Sequence, residues 1–184
     1  MPLYMDVHSI DRLVPRRLRR LGALGVGVTL LFGLLTVSST LTASAAPSIQ
    51  AQLAQVRAAT AAFHASPAAA EHSGYVKFLS CFDDAHLGGM GQHWLLPGAL
   101  AAPLDPASPA ALVYEPEADG SYRLVAVEYV VPGPPDMTPP RLLGRDFTYL
   151  AALGVWKLHA WIWRPNPSGM FKDFNPNARH CPAT

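Results

Sequence analysis

The protein has 184 residues, of which 50% are hydrophobic and 15% charged, with 18 prolines, two cysteines and a formal net charge of +1. This length predicts one domain with at most a short appendage, and it excludes large barrel enzymes and multi-domain assemblies. The apolar content excludes a mostly disordered chain, and the near-zero charge argues against a nucleic-acid-binding protein that works through phosphate contacts.

Residues 1–45 have the pattern of a secretory signal peptide. Five arginines precede the uncharged segment 21–37, and Ala43-Ser44-Ala45 forms a small-residue cleavage site. We therefore predict cleavage after Ala45 or Ala46 and a secreted or extracytoplasmic protein. The alternative is that the segment is retained as an N-terminal membrane anchor, because the apolar stretch approaches the ~20 residues that span a bilayer. In that case we expect the protein to contact the membrane only through this segment.

Residues 46–184 are predicted to form a single domain. It carries nine Lys and Arg against eleven Asp and Glu, so its formal charge is −2 and the basic excess belongs to the export segment. Both cysteines, Cys81 and Cys181, lie in this domain. In an oxidising compartment such a pair, with no CxxC motif, predicts a disulfide that joins the C-terminal tail to the start of the core. Free thiols or a shared metal site are the alternatives.

Two helices are predicted at the start of this domain. Residues 48–65 contain no Gly or Pro, Ser48 can cap the N-terminus, and apolar side chains follow at a loose helical spacing. A shorter helix is predicted over 67–73, because Pro67 suits the first helical position and Gly74 suits the residue after the end.

The segment 82–110 is predicted to be a long ordered loop, or a loop that contains a short strand. Three glycines within four positions and several prolines argue against long regular elements there. Loops of this length in compact domains are usually functional or disordered. Apolar residues such as Met90, Trp94 and Leu95 favour order.

The rest of the chain predicts strands and turns. A β-hairpin is predicted over 111–131 with Asp119-Gly120 as a type I′ turn, and 132–140 as a rigid Pro-rich connection. The aromatic and β-branched segment 154–164 predicts another strand, followed by turns up to Cys181. The predicted fold is α+β: two N-terminal helices packed on a small, mostly antiparallel sheet, with long turn-rich loops and one disulfide.

Three titratable residues stand out from these elements. Glu128 shares its strand face with apolar neighbours, and a carboxylate there needs a cation or a metal as partner. His159 alternates onto the same face as Lys157, opposite a face of core residues. His93 follows the glycine run 88–91, which permits close backbone approach and lets the side chain be aimed inward.

Two histidines and one carboxylate on separate elements suit a divalent transition metal, Zn²⁺, Cu²⁺, Fe²⁺ or Mn²⁺, with positions left for water or substrate. We therefore predict that His93, Glu128 and His159 bind such a metal or a small ligand. A metal with open positions can polarise a substrate or activate water. No reaction class follows from the sequence, so whether the protein is an enzyme stays open at this point.

Ordinary structural roles are the alternative for each of these residues. The two histidines could be a core residue and a loop residue. Glu128 could form a buried ion pair with a histidine or with an arginine, namely Arg123, Arg141 or Arg145. In that case the protein is a non-catalytic extracytoplasmic binding or structural module, whose Trp161 and Trp163 face holds a small ligand or a protein partner.

Four motifs follow one another along the domain: GGMGQHW (88–94), LVYEP (112–116), LVAVEYVVP (124–132) and LHAWIWRPNPSGMFKDFNP (158–176), with Cys181 closing the series. In order and spacing they resemble a family of small secreted bacterial proteins of uncharacterised function. The resemblance spans about residues 74–182. It implies that the segments holding the two histidines and the glutamate recur in that family, and it supplies no activity.

Overall fold

The computed structural model describes residues 46–182, and the predicted signal peptide lies outside this range. The main helix of the described part is α1 (Ile49–Thr60), and Ser48 caps it by accepting a hydrogen bond from the Ala51 N–H. Within residues 46–182, no helix has both the length and the apolar character needed to cross a membrane.

The expectation of two N-terminal helices is wrong. The second helix, α2 (Ala68–His72), is a single turn, because Pro67 lies at its N-cap and the chain leaves the helix at Ser73. The first helix also ends earlier than predicted, in a 3₁₀ turn over Ala61–Phe63. Beyond that turn the backbone joins the sheet, since the His64 carbonyl accepts a hydrogen bond from the Leu124 N–H.

In chain order the strands are β1 (Val76–Asp84), β2 (Gly88–Leu95), β3 (Ala111–Pro116), β4 (Tyr122–Pro132), β5 (Arg141–Leu142), β6 (Arg145–Asp146), β7 (Thr148–Leu150) and β8 (Val155–Ala160). The main sheet has six antiparallel strands in the order β1-β2-β3-β4-β8-β7, and β5 and β6 form a separate two-stranded ribbon. A 3₁₀ turn, Pro97–Ala101, follows β2. An α+β fold with an antiparallel sheet is therefore confirmed.

The first half of the predicted loop over 82–110 is a β-hairpin, so that prediction is wrong there. The glycine run lies inside β2 and lets the C-terminal tail approach closely. A side chain on Gly88 would overlap the Asn175 carbonyl, and one on Gly89 would overlap the Arg179 carbonyl. Gly89 also forms a β-bridge with Asn175. These glycines therefore serve backbone packing rather than a turn.

The hairpin of β3 and β4 is confirmed, but its turn differs from the type I′ prediction. Glu117 and Ser121 pair through their backbones, and Gly120 donates to the Glu117 carbonyl at 3.1 Å. Gly120 has φ +83°, whereas Asp119 does not take a positive φ. The connection is therefore a type I turn followed by a left-handed glycine, the usual form of a longer hairpin loop.

The helices cover one face of the sheet. The core lies between the helices and the sheet and takes side chains from both layers. These side chains include Leu53, Val56, Ala70, Trp94, Leu112, Tyr114, Val127, Tyr129, Trp156, Leu158 and Ala160. The predicted core face of β8 is among them. Because side chains alternate along a strand, the neighbouring positions project from the opposite face. That second face carries the candidate site.

The predicted disulfide is present between Cys81 on β1 and Cys181 in the tail, 100 residues apart. The tail is also held by polar contacts, since Cys181 N–H donates to Asp83 Oδ2 and Arg179 N–H donates to the buried carboxylate of Glu115. These contacts place the C-terminal segment against the sheet on the side of the candidate site.

Candidate metal and ligand site

Three strands of the main sheet, β2, β4 and β8, bring His93, Glu128 and His159 together. Glu128 on β4 is directly opposite His159 on β8, and its other strand neighbour is Ala111 on β3. Because Ala111 has a small side chain, His93 on β2 can reach across β3. The distance from Glu128 Oε2 to His93 Nε2 is 3.7 Å, and that from Glu128 Oε1 to His159 Nδ1 is 3.9 Å.

Both imidazoles are buried and poorly satisfied. His93 is 6% exposed and His159 is 2% exposed. Within the described part of the chain, His93 Nδ1 and both ring nitrogens of His159 have no hydrogen-bond partner. Buried polar atoms normally have a hydrogen-bond partner, and each atom that lacks one lowers the stability of the fold by about 1–3 kcal/mol. The described residues therefore leave these ring nitrogens open to a bound water, metal or ligand.

Burial lowers the pKa of both histidines. For His93, desolvation is the largest cause; the Glu128 carboxylate opposes it and Lys157 adds to it. The pKa of His159 lies well below its ordinary value because of burial, with smaller contributions from His93 and Lys157. At neutral pH both rings are thus uncharged and keep a lone pair that can bind a metal or accept a proton.

Lys157 and Asp173 complete the polar cluster, although neither was predicted as a site residue. Lys157 Nζ lies 3.5 Å from Glu128 Oε1 and 2.5 Å from Asp173 Oδ1. The sequence did place Lys157 on the face of His159. Asp173 lies in the turn-rich tail, and no local pattern links it to the sheet.

The arginines considered as partners of Glu128 lie elsewhere. Arg123 pairs with Glu117, Arg141 pairs with Asp146, and the Arg145 guanidinium lies 5.3 Å from the centre of the Phe171 ring. The cation beside Glu128 is therefore a lysine from the adjacent strand.

The cluster opens into a cavity of about 450 Å³, to which His93, Glu128 and Lys157 all contribute. The apolar residues that line it include Phe78, Leu79, Phe82, Val130, Leu150 and Leu153. Some of these are well exposed: Phe78 is 37% exposed and Leu153 51%. Since His93, Glu128 and Lys157 are nearly buried, they form the inner end of the cavity, and the exposed apolar residues form its mouth.

The two tryptophans do not share one open face. Trp161 is 2% exposed, packs with Val113 and Ala126, and donates from Nε1 to the Lys172 carbonyl. Trp163 packs against the helix side and donates to Thr60 Oγ1. The predicted alternation holds as far as Trp161, which lies on the face of His159, and fails at Trp163 because β8 ends at Ala160. The Trp161 ring instead lies 5.2 Å from the His159 ring, as a wall of the polar cluster.

The convergence of His93, Glu128 and His159 is compatible with metal ligation. One donor atom from each lies within 4.8 Å of the others. Ligands about 2.1 Å from a tetrahedral Zn²⁺ are about 3.4 Å from one another. The separations of 3.7 and 3.9 Å, which involve different oxygens of Glu128, exceed this value by a few tenths of an ångström. The three donor atoms as a set spread over as much as 4.8 Å, so the side chains have to move closer together to share one metal ion.

Comparison of the chain with protein-family models, with curated proteins and with solved structures gives no match. Function is therefore inferred from the chemistry and geometry of the site.

Proposed function

We propose that this is an exported protein that binds one divalent transition metal through His93, Glu128 and His159, next to a cavity for a small organic ligand. The observation that carries the proposal is a pair of buried imidazoles beside a carboxylate, with both nitrogens of His159 lacking a hydrogen-bond partner among the described residues. A metal bound between Glu128 and the ring nitrogens that face it, His93 Nε2 and His159 Nδ1, would give His159 Nδ1 a partner and neutralise the carboxylate. Plain core packing gives no comparable reason for this arrangement.

The donor set indicates the class of metal. Two neutral imidazoles and one carboxylate suit Zn²⁺, Cu²⁺, Fe²⁺ or Mn²⁺ and do not suit Ca²⁺ or Mg²⁺, which prefer oxygen ligands. Three protein ligands leave at least one coordination position for a ligand. When bound, such a metal supplies Lewis acidity to an oxygen atom at that position.

Lys157 is compatible with metal binding despite its positive charge. Asp173 already holds its ammonium at 2.5 Å, so Lys157 retains a carboxylate partner when Glu128 turns to a metal. Lys157 thus acts as a counter-ion of Glu128 in the metal-free protein. The two states differ in which cation the Glu128 carboxylate binds.

Export is part of the proposal. It is supported by the signal-peptide pattern of residues 1–45 and by the disulfide between Cys81 and Cys181, since such bridges persist in oxidising compartments. The resemblance to a family of small secreted proteins supports the same location.

The second candidate function is a metal-free binding module. The ion pair between Lys157 and Glu128, at 3.5 Å, favours it because this pair partly satisfies the carboxylate without a metal. It leaves the nitrogens of His159 without a partner among residues 46–182. Metal content separates the two candidates directly.

The test is elemental analysis and Zn²⁺ titration of the exported protein, purified without an affinity tag. We expect about one metal ion per chain for the wild type and for the control His86→Ala, since His86 lies in an exposed turn. We expect loss of the metal in His159→Ala and in the better-packed His159→Gln. Circular dichroism checks that each variant is folded. Failure of the wild type to bind any of the four metals contradicts the proposal, as does unchanged binding by a folded His159 variant.

A further inference from the structure

The inner end of the cavity has a definite charge balance. The nearly buried carboxylate of Glu128 and ammonium of Lys157 cancel, and Asp173, whose side chain is 46% exposed, brings the sum to −1 with a charge that solvent partly screens. A divalent metal held by Glu128 and two neutral imidazoles changes this sum to +1. The metal-loaded site therefore attracts an anionic group, whereas the metal-free site attracts a cationic one.

The remainder of the cavity is apolar. Its walls include Leu100, Val130, Leu150, Leu153 and Val155, with aromatic rings from β1 at the mouth. A volume of about 450 Å³ lies in the range of about 300–1,000 Å³ that is typical of pockets for small organic ligands. Such walls supply no partner for a polar chain, so the occupant is polar at one end only.

We propose that the metal-loaded site binds an aliphatic monocarboxylic acid, with its carboxylate at the inner end and its hydrocarbon chain along the apolar walls. This inference rests on the proposed metal site. The carboxylate oxygens take the open metal position and the Nζ of Lys157. The charge balance selects the anionic head group, and the cavity lining selects the hydrocarbon chain.

Lys157 has a distinct role in this arrangement. It is 9% exposed, and its Nζ lies beside Glu128 at the inner end of the cavity. When Glu128 binds the metal, the ammonium keeps donors free for a second carboxylate. Lys157 is therefore a specificity-determining residue for the anionic head group and is not itself a metal ligand.

The test is isothermal titration of the full exported protein, loaded with one equivalent of Zn²⁺ and freed of excess metal. The probes are acetate, hexanoate and octanoate, with octylamine and octanol as matched controls for charge. We expect octanoate to bind at least tenfold more tightly than octylamine or octanol, and tenfold more tightly than it binds metal-free protein. Affinity should rise about fourfold for each added CH₂ until the cavity is full.

A variant pair isolates the role of Lys157. In Lys157→Met we expect octanoate to bind about tenfold more weakly while one Zn²⁺ per chain is retained, because a charge-assisted hydrogen bond is lost. In Lys172→Met, which removes an exposed lysine, the octanoate affinity and the Zn²⁺ content per chain should both be unchanged. Equal octanoate affinity in the two variants overturns the role of Lys157.

The two proposals fail in different ways. If Zn²⁺ binds at one per chain but octanoate does not bind, or octylamine binds equally well, the ligand class is wrong and the metal site stands. If octanoate binds equally with and without Zn²⁺, the carboxylate does not depend on the metal, and this inference is overturned. If no metal binds, the proposed function fails first and the inference fails with it.

Discussion

Glu128 and His159 are direct partners across β4 and β8, with Glu128 Oε1 3.9 Å from His159 Nδ1, and neither nitrogen of His159 has a hydrogen-bond partner among the described residues. A carboxylate and an imidazole this close usually share a proton in a hydrogen bond. Here the carboxylate turns instead toward Lys157, at 3.5 Å. The pair is therefore close but not hydrogen-bonded, an arrangement compatible with ligation of a common cation.

Removal of the Lys157 charge should affect the metal-free and metal-loaded protein in opposite directions. In Lys157→Met the metal-free protein should lose about 3 kcal/mol of unfolding free energy, because Glu128 loses its cation in a buried site. Zn²⁺ should bind about tenfold more tightly, because the ammonium no longer repels it. Urea unfolding of metal-free protein and competition with a chelator measure the two quantities.

Lys172→Met is the control for this variant, since Lys172 is exposed. It should leave both the unfolding free energy and the Zn²⁺ affinity unchanged within error. A Lys157→Met protein that is destabilised and also binds Zn²⁺ more weakly would argue for a purely structural ion pair.

Much of the fold was predictable from local pattern. The two-residue alternation placed Glu128 and Lys157 on the faces where the structure has them, and the Asp-Gly signal located the β3–β4 hairpin. The glycine run was misinterpreted because glycine serves turns and close packing equally well. Its packing partner, Asn175, is 86 residues further along the chain than Gly89, so local sequence carries no sign of it.

The three candidate ligands were predictable from the sequence, whereas their geometry and the contribution of Lys157 and Asp173 were not. A strand pattern indicates which residues share a face, but the register between β4 and β8 decides that Glu128 is paired with His159 and Val130 with Lys157. The contribution of Asp173 depends on how the tail folds back, which no short-range signal specifies. The expected common face of Trp161 and Trp163 failed at Trp163 for a related reason, because alternation does not continue beyond the end of β8.

The lowered pKa values of the two histidines predict a loss of stability in mild acid for the metal-free protein. Below the ordinary pKa of about 6.5, the unfolded chain binds protons at His93 and His159, whereas the folded chain does not until the pH reaches their lowered values. Stability is therefore full above about pH 7 and falls as the pH drops through 6.5. With both groups the slope approaches about 2.7 kcal/mol per pH unit.

Urea unfolding between pH 5 and 7.5 measures this slope. The comparison protein is the double variant His93→Gln/His159→Gln, whose unfolding free energy should vary much less over the same pH range. It keeps the charged groups that surround the two rings, namely Glu128, Lys157 and Asp173. An equally steep fall in the double variant would assign the acid sensitivity to other groups.

The disulfide between Cys81 and Cys181 should be a major source of stability. It closes a loop of 100 residues, and the chain-entropy relation gives up to about 4.7 kcal/mol for such a loop. We expect the double variant Cys81→Ser/Cys181→Ser, or the reduced wild type, to unfold at much lower urea concentration. The tail residues Asp173 and Phe174 also line the cavity, so loss of the bridge should weaken ligand binding as well.

Intact-mass analysis with an alkylating reagent checks the bridge itself. The exported wild-type protein should take up no label before reduction and two labels after it. Two labels without reductant would show that the thiols are free and would remove this source of stability.

The last prediction concerns Gly91, which lies in β2 two residues before His93. Gly91 has φ +119°, and a Cβ atom added there would lie 2.6 Å from the Tyr114 carbonyl oxygen, closer than real Cβ atoms approach. Gly91→Ala therefore adds both backbone strain and a clash with rigid backbone, and it should cost about 3 kcal/mol of unfolding free energy.

Two other glycines separate these contributions. Gly120 has φ +83° with no described atom within 4 Å of an added Cβ, so Gly120→Ala should cost only the strain, about 1 kcal/mol. Gly98 has neither a positive φ nor a described neighbour within 4 Å, so Gly98→Ala should be neutral or slightly stabilising. Urea unfolding of the three variants should therefore rank Gly98→Ala, Gly120→Ala and Gly91→Ala in order of rising cost. If Gly91→Ala is no worse than Gly120→Ala, β2 can move away from β3, and the position of His93 beside Glu128 is less rigid than the register implies.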